Sequence, residues 1–360
     1  MIGSMNVIAR EIVLFFILLI GTSCSSTYRF LIDVQEPAAV TLPVSAQNVL
    51  ILNNTIIQPE DYGIERTFNG QSVSNDYPLL LDSMVWLAIG KITNVLNESG
   101  FFNTVAVYRE LLRTDAEWFS IANLSTEDQA DFYNMGNFDA LLVVDRLLFS
   151  IKEDVKTVKT GAFSFEPLAF LDLKIDGIIN CSMYTYGKEK PLISFSVSDS
   201  LSTKFTIDND SILLFKEIPE FLLEELSRRI GNLSAQRFIP TWKTEERTLF
   251  TGYGARMQEA AGYAANLQWA KAESIWTIEL ENKTKLVDKA KIAFNLAVAN
   301  EMQDKIEQAF TWALKAKEHL KNVNPDNENQ TVEITNKYIS KLEQRIQNNR
   351  LLDLQWGRER

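Results

Sequence analysis

The hydrophobic pattern of the chain changes near Gly254, and this change constrains the fold more than any other feature of the sequence. Upstream of Gly254, short runs of β-branched and aromatic residues alternate with polar residues, which is typical of strands with one solvated face. Downstream, alanine-rich segments repeat with helical spacing. We therefore predict an α+β domain, a mixed sheet with helices, over residues 46–240, and an all-α domain over residues 250–352.

The first 24 residues carry the pattern of an export signal. Nine apolar residues, Ile12 to Ile20, are too few to cross a bilayer as a helix, which takes roughly 20, but they suit a signal peptide. Gly21-Thr22-Ser23-Cys24 follows and resembles a lipobox, the cleavage site of bacterial lipoproteins. We expect residues 1–23 to be a signal peptide, Cys24 to carry diacylglyceryl and acyl lipid, and residues 24–45 to form a tether. The alternatives are an uncleaved membrane anchor and an incidental apolar tail.

Charge and cysteine content argue against several classes of protein. The formal net charge of −11 argues against nucleic acid as a partner and against electrostatic adhesion to anionic lipid. The two cysteines are Cys24 and Cys181, so lipidation of Cys24 leaves Cys181 without a partner for an internal disulfide. We expect no cofactor apart from the covalent lipid.

Residues 46–240 contain strand and helix patterns in a defined order. Four large apolar residues after Ala140 predict a central strand that is covered on both faces. Ser125 and Asp128 have the spacing of a capping box at the start of a helix. Alternation over residues 171–183 and 193–197 predicts an antiparallel hairpin. The predicted order is strand 48–52, helix 78–96, strand 102–108, helix 123–136, strand 139–144, hairpin 171–197 and helix 208–230.

This element order and the phrase Gly136-Asn-Phe-Asp139-Ala-Leu-Leu resemble the periplasmic domain of the curli-secretion lipoprotein and the amino-terminal domain of TolB-like proteins. The resemblance covers residues 48–230 and includes no catalytic motif. It implies a domain that binds partner proteins or self-assembles at the outer membrane. The whole plan of lipobox, α+β domain and helical tail resembles lipoproteins of Bacteroidota.

Two segments of the helical region resemble tetratricopeptide repeats, in which small residues let paired helices approach closely. The two segments are related by the 37 residues that separate Ala272 from Ala309, compared with a period of about 34 in that family. Residues 329–352 are predicted to form a helix that caps the array, since two repeats alone bury too little surface. The small and aromatic residues that carry the resemblance are Ala260, Tyr263, Ala272, Trp276, Ala297, Ala309, Ala313 and Ala316.

Residues that could carry catalysis are scarce. His319 is the only histidine, and no partners at zinc-binding spacing surround it. Because His319 is the only histidine and Cys181 is predicted to face inward on a strand, neither Ser-His-Asp nor Cys-His catalysis has support. We therefore expect no enzymatic activity. An envelope glycan hydrolase is an alternative, because it needs only two carboxylates, such as Asp139 and Asp145 beside the central strand.

These patterns favour binding of other envelope proteins as the function. We predict a lipid-anchored outer-membrane protein that faces the periplasm and acts as a scaffold or assembly factor. Residues 25–30, directly after Cys24, lack the acidic residues of surface-exported lipoproteins in Bacteroidota, which favours the periplasmic side. A secretion-pore subunit is an alternative, with the hairpin of residues 171–203 inserted into a membrane. The candidate partner-binding surface is an aromatic set that core packing also explains: Tyr253, Tyr263, Trp269, Trp276 and Trp312.

Overall fold

The computed structural model describes residues 27–59, 62–73, 81–113, 115–158, 168–207, 220–252, 254–321, 323 and 325–358. The chain is an α+β protein with an all-helical region toward its carboxyl end, which confirms the predicted fold class. Two compact units can be described: a sheet unit of residues 37–241 and 352–358, and a helical unit of residues 27–36 and 242–351.

The strands are β1 (Thr27–Glu36), β2 (Asn48–Asn53), β3 (Ile64–Phe68), β4 (Gln71–Ser72), β5 (Thr104–Leu111), β6 (Ala140–Val158), β7 (Leu168–Thr185), β8 (Ile193–Ile207) and β9 (Thr241–Phe250). The helices are α1 (Asp82–Glu98), α2 (Thr126–Gly136), α3 (Glu220–Ala235), α4 (Ala255–Ala265), α5 (Trp269–Asn282), α6 (Leu286–Glu301), α7 (Ile306–Leu320) and α8 (Pro325–Gln355). None of the helices in the described ranges is long and apolar enough to span a membrane.

Strand β6 is the centre of the sheet unit. Its first residues, 140–144, pair with β2, and its residues 151–155 pair with β3, in both cases parallel. Strand β7 runs antiparallel along the whole of β6, and β8 continues the sheet beyond β7. On the other side, β2 pairs with β5 and β3 pairs with β4. The central position predicted for residues 139–144 is therefore correct.

One face of the sheet, the inner face, is covered by α1 and α3. The buried residues of α1 recur at helical spacing, because one stripe of that helix faces the strands. The two helices approach closely at Gly231, where an added Cβ would lie 2.5 Å from the carbonyl oxygen of Ala88. Each large apolar side chain buried here contributes about 1.5–3 kcal/mol. On α1 the buried side chains are Met84, Val85, Ala88, Ile89, Ile92 and Leu96.

Among the described residues, helices cover the opposite, outer face only beside the first residues of β6. Leu141 and Val143 pack there against Phe132 of α2. The predicted capping box begins α2, since the Asp128 N–H donates to Ser125 Oγ at 3.0 Å. Beyond the bulge, from residue 146 of β6 onward, the outward side chains of β6 and of the neighbouring parts of β7 (170–180) and β8 (196–206) are half-buried or exposed. This part of the outer face is called the open face below.

Several segments differ from the sequence prediction. Residues 27–36, assigned to an irregular tether over 24–45, form β1, which pairs with β9 about 200 residues away. The region predicted as a long polar loop after β2 contains β3 and β4, and β6 continues to Val158 instead of ending at residue 144. Strands β1 and β3 pair with strands distant in sequence, which local patterns do not reveal, and the longer β6 extends along both β3 and β7. The start predicted for the helix over 208–230 lies outside the described residues; α3 itself ends at Ala235.

The helical unit is built around α6, in which all residues from Ile292 to Glu301 are buried. Helices α5 and α7 pack against α6. The Asn295 amide binds the backbone of Phe250 in β9, with Oδ1 accepting at 2.8 Å and Nδ2 donating at 2.7 Å. The small residues of the proposed repeats are buried, as close helix packing requires. The tetratricopeptide assignment itself stays a resemblance.

A buried ionic cluster around Glu301 joins three elements of the helical unit. Arg247 of β9 donates two hydrogen bonds of 2.8 Å to the Glu301 carboxylate. From α8, Tyr338 Oη donates at 2.7 Å and Arg345 Nη1 at 2.6 Å. Burial raises the pKa of the Glu301 carboxyl, but the hydrogen bonds and charge of Arg247, together with Arg345 and Tyr338, outweigh burial and lower that pKa below its ordinary value.

We expect Glu301→Gln to destabilise the helical unit by roughly 3 kcal/mol, because it removes the buried charge that Arg247 and Arg345 share and leaves Glu245 as the remaining carboxylate partner of Arg247. The measurement is urea unfolding of the full chain followed by circular dichroism. Glu333→Gln is the matched control, since Glu333 pairs with Lys337 on an exposed surface of α8. This variant should have the same urea midpoint as the wild type. Equal effects of the two substitutions would contradict this account.

Candidate functional site

A β-bulge in β6 creates the site. The register between β6 and β7 shifts between Val144 and Arg146, so Asp145 is an extra residue without a partner in β7. Side chains at 140, 142 and 144 face inward before the bulge, whereas those at 147, 149 and 151 face inward after it. The bulge therefore directs Asp145 and Arg146, which are adjacent in sequence, to the same outer face.

Asp145 is a buried carboxylate with neutral hydrogen-bond partners. It accepts from Ser182 Oγ at 2.7 Å and from Asn54 Nδ2 at 3.4 Å, and Ser182 also contacts Ser194 Oγ at 2.9 Å. Burial raises the pKa of Asp145 above its ordinary value, although the hydrogen bonds from Ser182 and Asn54 act against burial. The prediction that Asp145 lies at the end of the central strand is wrong, because that strand continues to Val158.

Arg146 connects the open face to the loop before α2. Its Nη1 donates to the Phe119 carbonyl at 2.8 Å, and its guanidinium lies over the Phe119 ring at 5.7 Å. Across the sheet, Arg146 Nε donates to Asn180 Oδ1 at 3.2 Å, and Asn180 Nδ2 donates to Ser196 Oγ at 2.6 Å. A polar row thus crosses β6, β7 and β8 and ends at an aromatic ring.

A second arginine shapes the same loop. The Arg113 guanidinium binds both carboxylate oxygens of Asp115 at 2.8–2.9 Å and the Ser120 carbonyl at 2.7 Å. These bonds fix the loop on both sides of Trp118 and Phe119. The position of the aromatic side chains is therefore set by two arginines, and we expect little rearrangement of the loop when it contacts a ligand.

Tyr62, Trp118 and Phe119 form an aromatic rim beside the open face. The Trp118 ring lies 4.5 Å from that of Tyr62 and 5.1 Å from that of Phe119, both edge to face. Phe119 remains 62% exposed and Tyr62 remains 45% exposed. Exposed aromatic groups held in a fixed arrangement are a feature of binding sites.

A groove of about 580 Å³ runs along the open face next to Tyr62. Its floor combines half-buried apolar side chains with hydroxyl groups and one carboxylate, which suits an extended ligand that is partly apolar and partly polar. The outward side chains of the floor come from β6, β7 and β8: Leu148, Ser150, Asp176, Ile178, Ser198 and Ser200.

Further along the same face, carboxylates and lysines neutralise one another. Asp154 and Asp172 lie opposite each other on β6 and β7. Lys156 Nζ lies 2.6 Å from Asp154, and Lys204 Nζ lies 3.2 Å from Asp172. The hydrogen bond from Lys156 holds the pKa of Asp154 below its ordinary value. A glycan hydrolase needs one carboxyl with a raised pKa, so this pair is a poor candidate for the general acid of such an enzyme.

The aromatic set predicted as a partner-binding surface does not form one surface, and this is a correction. Trp276 is fully buried, and Trp269 is buried and packs against Phe30 at 5.5 Å. Tyr263 and Trp312 are half-buried beneath lysine side chains. Helical spacing placed these residues in the core of the helical unit, where large aromatic groups fill space beside alanines. Tyr253 and the lipidation candidate Cys24 lie outside the described residues.

The residues of the rim and the groove were not identified from the sequence. The bulge did leave a signal, because the period-two pattern of β6 skips one position between residues 144 and 147. That skip could have indicated that Asp145 and Arg146 share a face. Nothing local indicates that Tyr62 and Trp118, which are 56 positions apart, meet beside the same groove.

Comparison with protein families gives two matches. The family model described as Domain of unknown function (DUF8603) matches residues 46–250. A second model, described as Domain of unknown function (DUF6340), matches residues 258–344. No curated protein matches the chain.

Solved structures with similarity to the chain include three bacterial proteins. A Xanthomonas campestris protein of the family model DUF330 is 10% identical, with a TM-score of 0.25, over 56% of this chain and 87% of that one. A minor lipoprotein from Acinetobacter baumannii is 8% identical, with a TM-score of 0.23, over 55% and 99%. A putative neuraminyllactose-binding hemagglutinin homolog from Helicobacter pylori is 12% identical, with a TM-score of 0.22, over 55% and 86%. These TM-scores are too low for any function to be transferred.

The raised pKa of Asp145 predicts a pH dependence. The folded state holds this proton more tightly than the unfolded state does, so stability should fall as pH rises from about 4, the pKa of a free Asp, through the folded pKa. The Asp145→Asn variant has no carboxyl to titrate at this position, so it does not lose this part of its stability as pH rises. The difference in urea midpoint, variant minus wild type, should therefore increase between pH 4 and pH 7. A difference that stays constant or decreases over this interval would contradict the assignment.

Proposed function

The chain belongs to the family described as a domain of unknown function (DUF8603), and from this premise we propose that it is a lipid-anchored envelope protein that binds another protein through the aromatic rim and the open-face groove. It acts as a scaffold or assembly factor and not as an enzyme. The observation that carries the proposal is the fixed cluster of Tyr62, Trp118, Phe119 and Arg146 beside a groove that no helix of the described residues covers.

The composition of the cluster supports protein recognition. Tyrosine, tryptophan, phenylalanine and arginine are enriched in the cores of protein interfaces, and a few such residues supply most of the binding energy. The groove beside them offers apolar contact at Leu148 and Ile178 and hydrogen bonds from the serines of β8. Because hydrogen bonds to Asp115, Ser120 and Phe119 already hold the loop, a partner would lose little free energy to ordering it.

The anchor in this proposal rests on the sequence alone. The apolar run that ends at Ile20 and the residues before Cys24 support cleavage and lipidation there. The absence of acidic residues at positions 25–30, directly after Cys24, supports attachment to the periplasmic side of the outer membrane. The net charge of −11 supports binding to proteins over binding to nucleic acid.

Substitutions at the rim test the binding function. Phe119→Ala should weaken capture of the specific partner from envelope extracts at least tenfold, since truncating a central aromatic residue of an interface costs about 2 kcal/mol or more. Tyr62→Ala should act in the same direction. The matched control is Phe221→Ala, because Phe221 is 61% exposed on α3, compared with 62% for Phe119.

The readout is quantitative mass spectrometry of proteins crosslinked to each variant, after equal expression and unchanged unfolding midpoints are established. The proposal requires a protein that wild type and Phe221→Ala retain and that both rim variants lose. If all four chains capture the same proteins in equal amounts, the rim is not the binding site.

The anchor is tested separately. We expect Cys24→Ala to release the exported protein from the membrane fraction, because a thiol at residue 24 is required for attachment of the lipid. Fractionation of cells that express each form measures this. Membrane association that survives the substitution unchanged would contradict the lipid anchor while leaving the rim proposal intact.

A further inference from the structure

Strand β8 is a long edge of the sheet unit. It spans Ile193–Ile207 and pairs with β7 over its whole length without a register shift. Within the described part of the chain, β7 is its only partner. An edge strand of this kind presents every second N–H and C=O group of its outer side to a further strand.

The inner face of β8 is incompletely buried. Phe195, Val197, Leu201 and Phe205 are half-buried, even though they pack against the core of the sheet unit. Their direct neighbours on β7 are almost completely buried, at 0–1% exposure: Cys181, Ile179, Ile175 and Leu171. Burial thus decreases from β7 to β8, and Phe195, Val197 and Leu201 form an apolar stripe that a further strand would cover.

Devices that protect edge strands are almost absent from β8. The strand contains no proline and no bulge, and Lys204 is its only lysine. Its outward side chains are small and hydroxylated from residue 194 to 202. Asp199, the only acidic residue of the strand, is an inward-pointing charge of the kind that can protect an edge, but Arg229 of α3 neutralises it at 2.7 Å. The edge is therefore regular and nearly uncharged.

We propose that β8 pairs antiparallel with β8 of a second copy of this chain, with Ser200 opposite Ser200. Ser200 is the midpoint of the strand, so this register pairs the whole strand. On the inner face, Val197 of each copy lies opposite Thr203 of the other copy. Cross-strand side-chain pairs stabilise sheets. An antiparallel strand pair is self-complementary, as a two-fold interface requires.

Charge also favours a second copy in this register. Lys204 lies opposite Ser196, and Asp199 lies opposite Leu201, so no like charges face each other across the interface. The two-fold axis is perpendicular to the sheet, which places the open faces of both copies on the same side. The dimer therefore presents two grooves to one side, and a partner with two binding sites would gain avidity from it. The dimer itself does not depend on the function proposed above.

Disulfide crosslinking tests the register. Residues opposite each other in antiparallel strands have Cα atoms about 4.5–5.5 Å apart, within the range of a disulfide. Ser200→Cys should therefore form a disulfide-linked dimer on mild oxidation. Ser202→Cys alone should not, since the two copies of residue 202 lie roughly 13 Å apart along the strand. A mixture of Ser198→Cys and Ser202→Cys chains should crosslink, because those positions lie opposite each other. Wild type, which retains the buried Cys181, is the blank.

Sedimentation of the full chain in detergent tests the dimer without oxidation. Wild type should sediment as a dimer, and Ser200→Lys should raise the dimer dissociation constant roughly fivefold, because it places two positive charges opposite each other. Ser150→Lys adds the same charge to the same face on β6, away from the edge, and should leave the dimer unchanged. A monomeric wild type, a ring of more than two copies, or crosslinking by Ser202→Cys alone would each overturn the proposal.

Discussion

The pairing of β6 with two different strands on one of its sides is the constraint on which the sheet unit depends. Strand β2 pairs with the first part of β6 and β3 with the second, while β7 follows its full length. An apolar inner face must then continue across both parts. The bulge at Asp145 preserves it by shifting the inward positions from even to odd numbers. The same shift brings Asp145 and Arg146 together on the outer face.

The site follows from this constraint. Among the described residues, helix α2 covers the outer face only before the bulge, and the outward side chains of β6 beyond it are half-buried or exposed. Arg146 lies where the covered part ends, and it holds the aromatic rim against the open face through Phe119. The aromatic rim, the groove and strand β8 therefore all belong to the same sheet, which is the arrangement expected of a preformed binding surface. The proposed dimer extends that support across a second copy.

Several elements could be predicted because their signals are local. The capping box at Ser125, the buried stripe of α1 and the alternation of β7 depend on residues within a few positions of one another. Strands β1, β3 and β9 were missed because their partners are far away in sequence. The aromatic residues Trp269 and Trp276 were misassigned to a surface, since helical spacing does not distinguish a core stripe from an exposed one.

The sequence by itself determined the division into an α+β part and a helical part, because hydrophobic periodicity follows directly from the burial of one face of each element. It also determined the net charge of −11 and the single candidate for lipidation, Cys24. Only the tertiary structure decided where binding can occur. Strand pairing across long stretches of chain brings Tyr62 next to Trp118 and places Asp145 and Arg146 on one face of the sheet. It also places β8 beside β7. Pairing of this kind depends on the whole core and is not encoded in any local pattern.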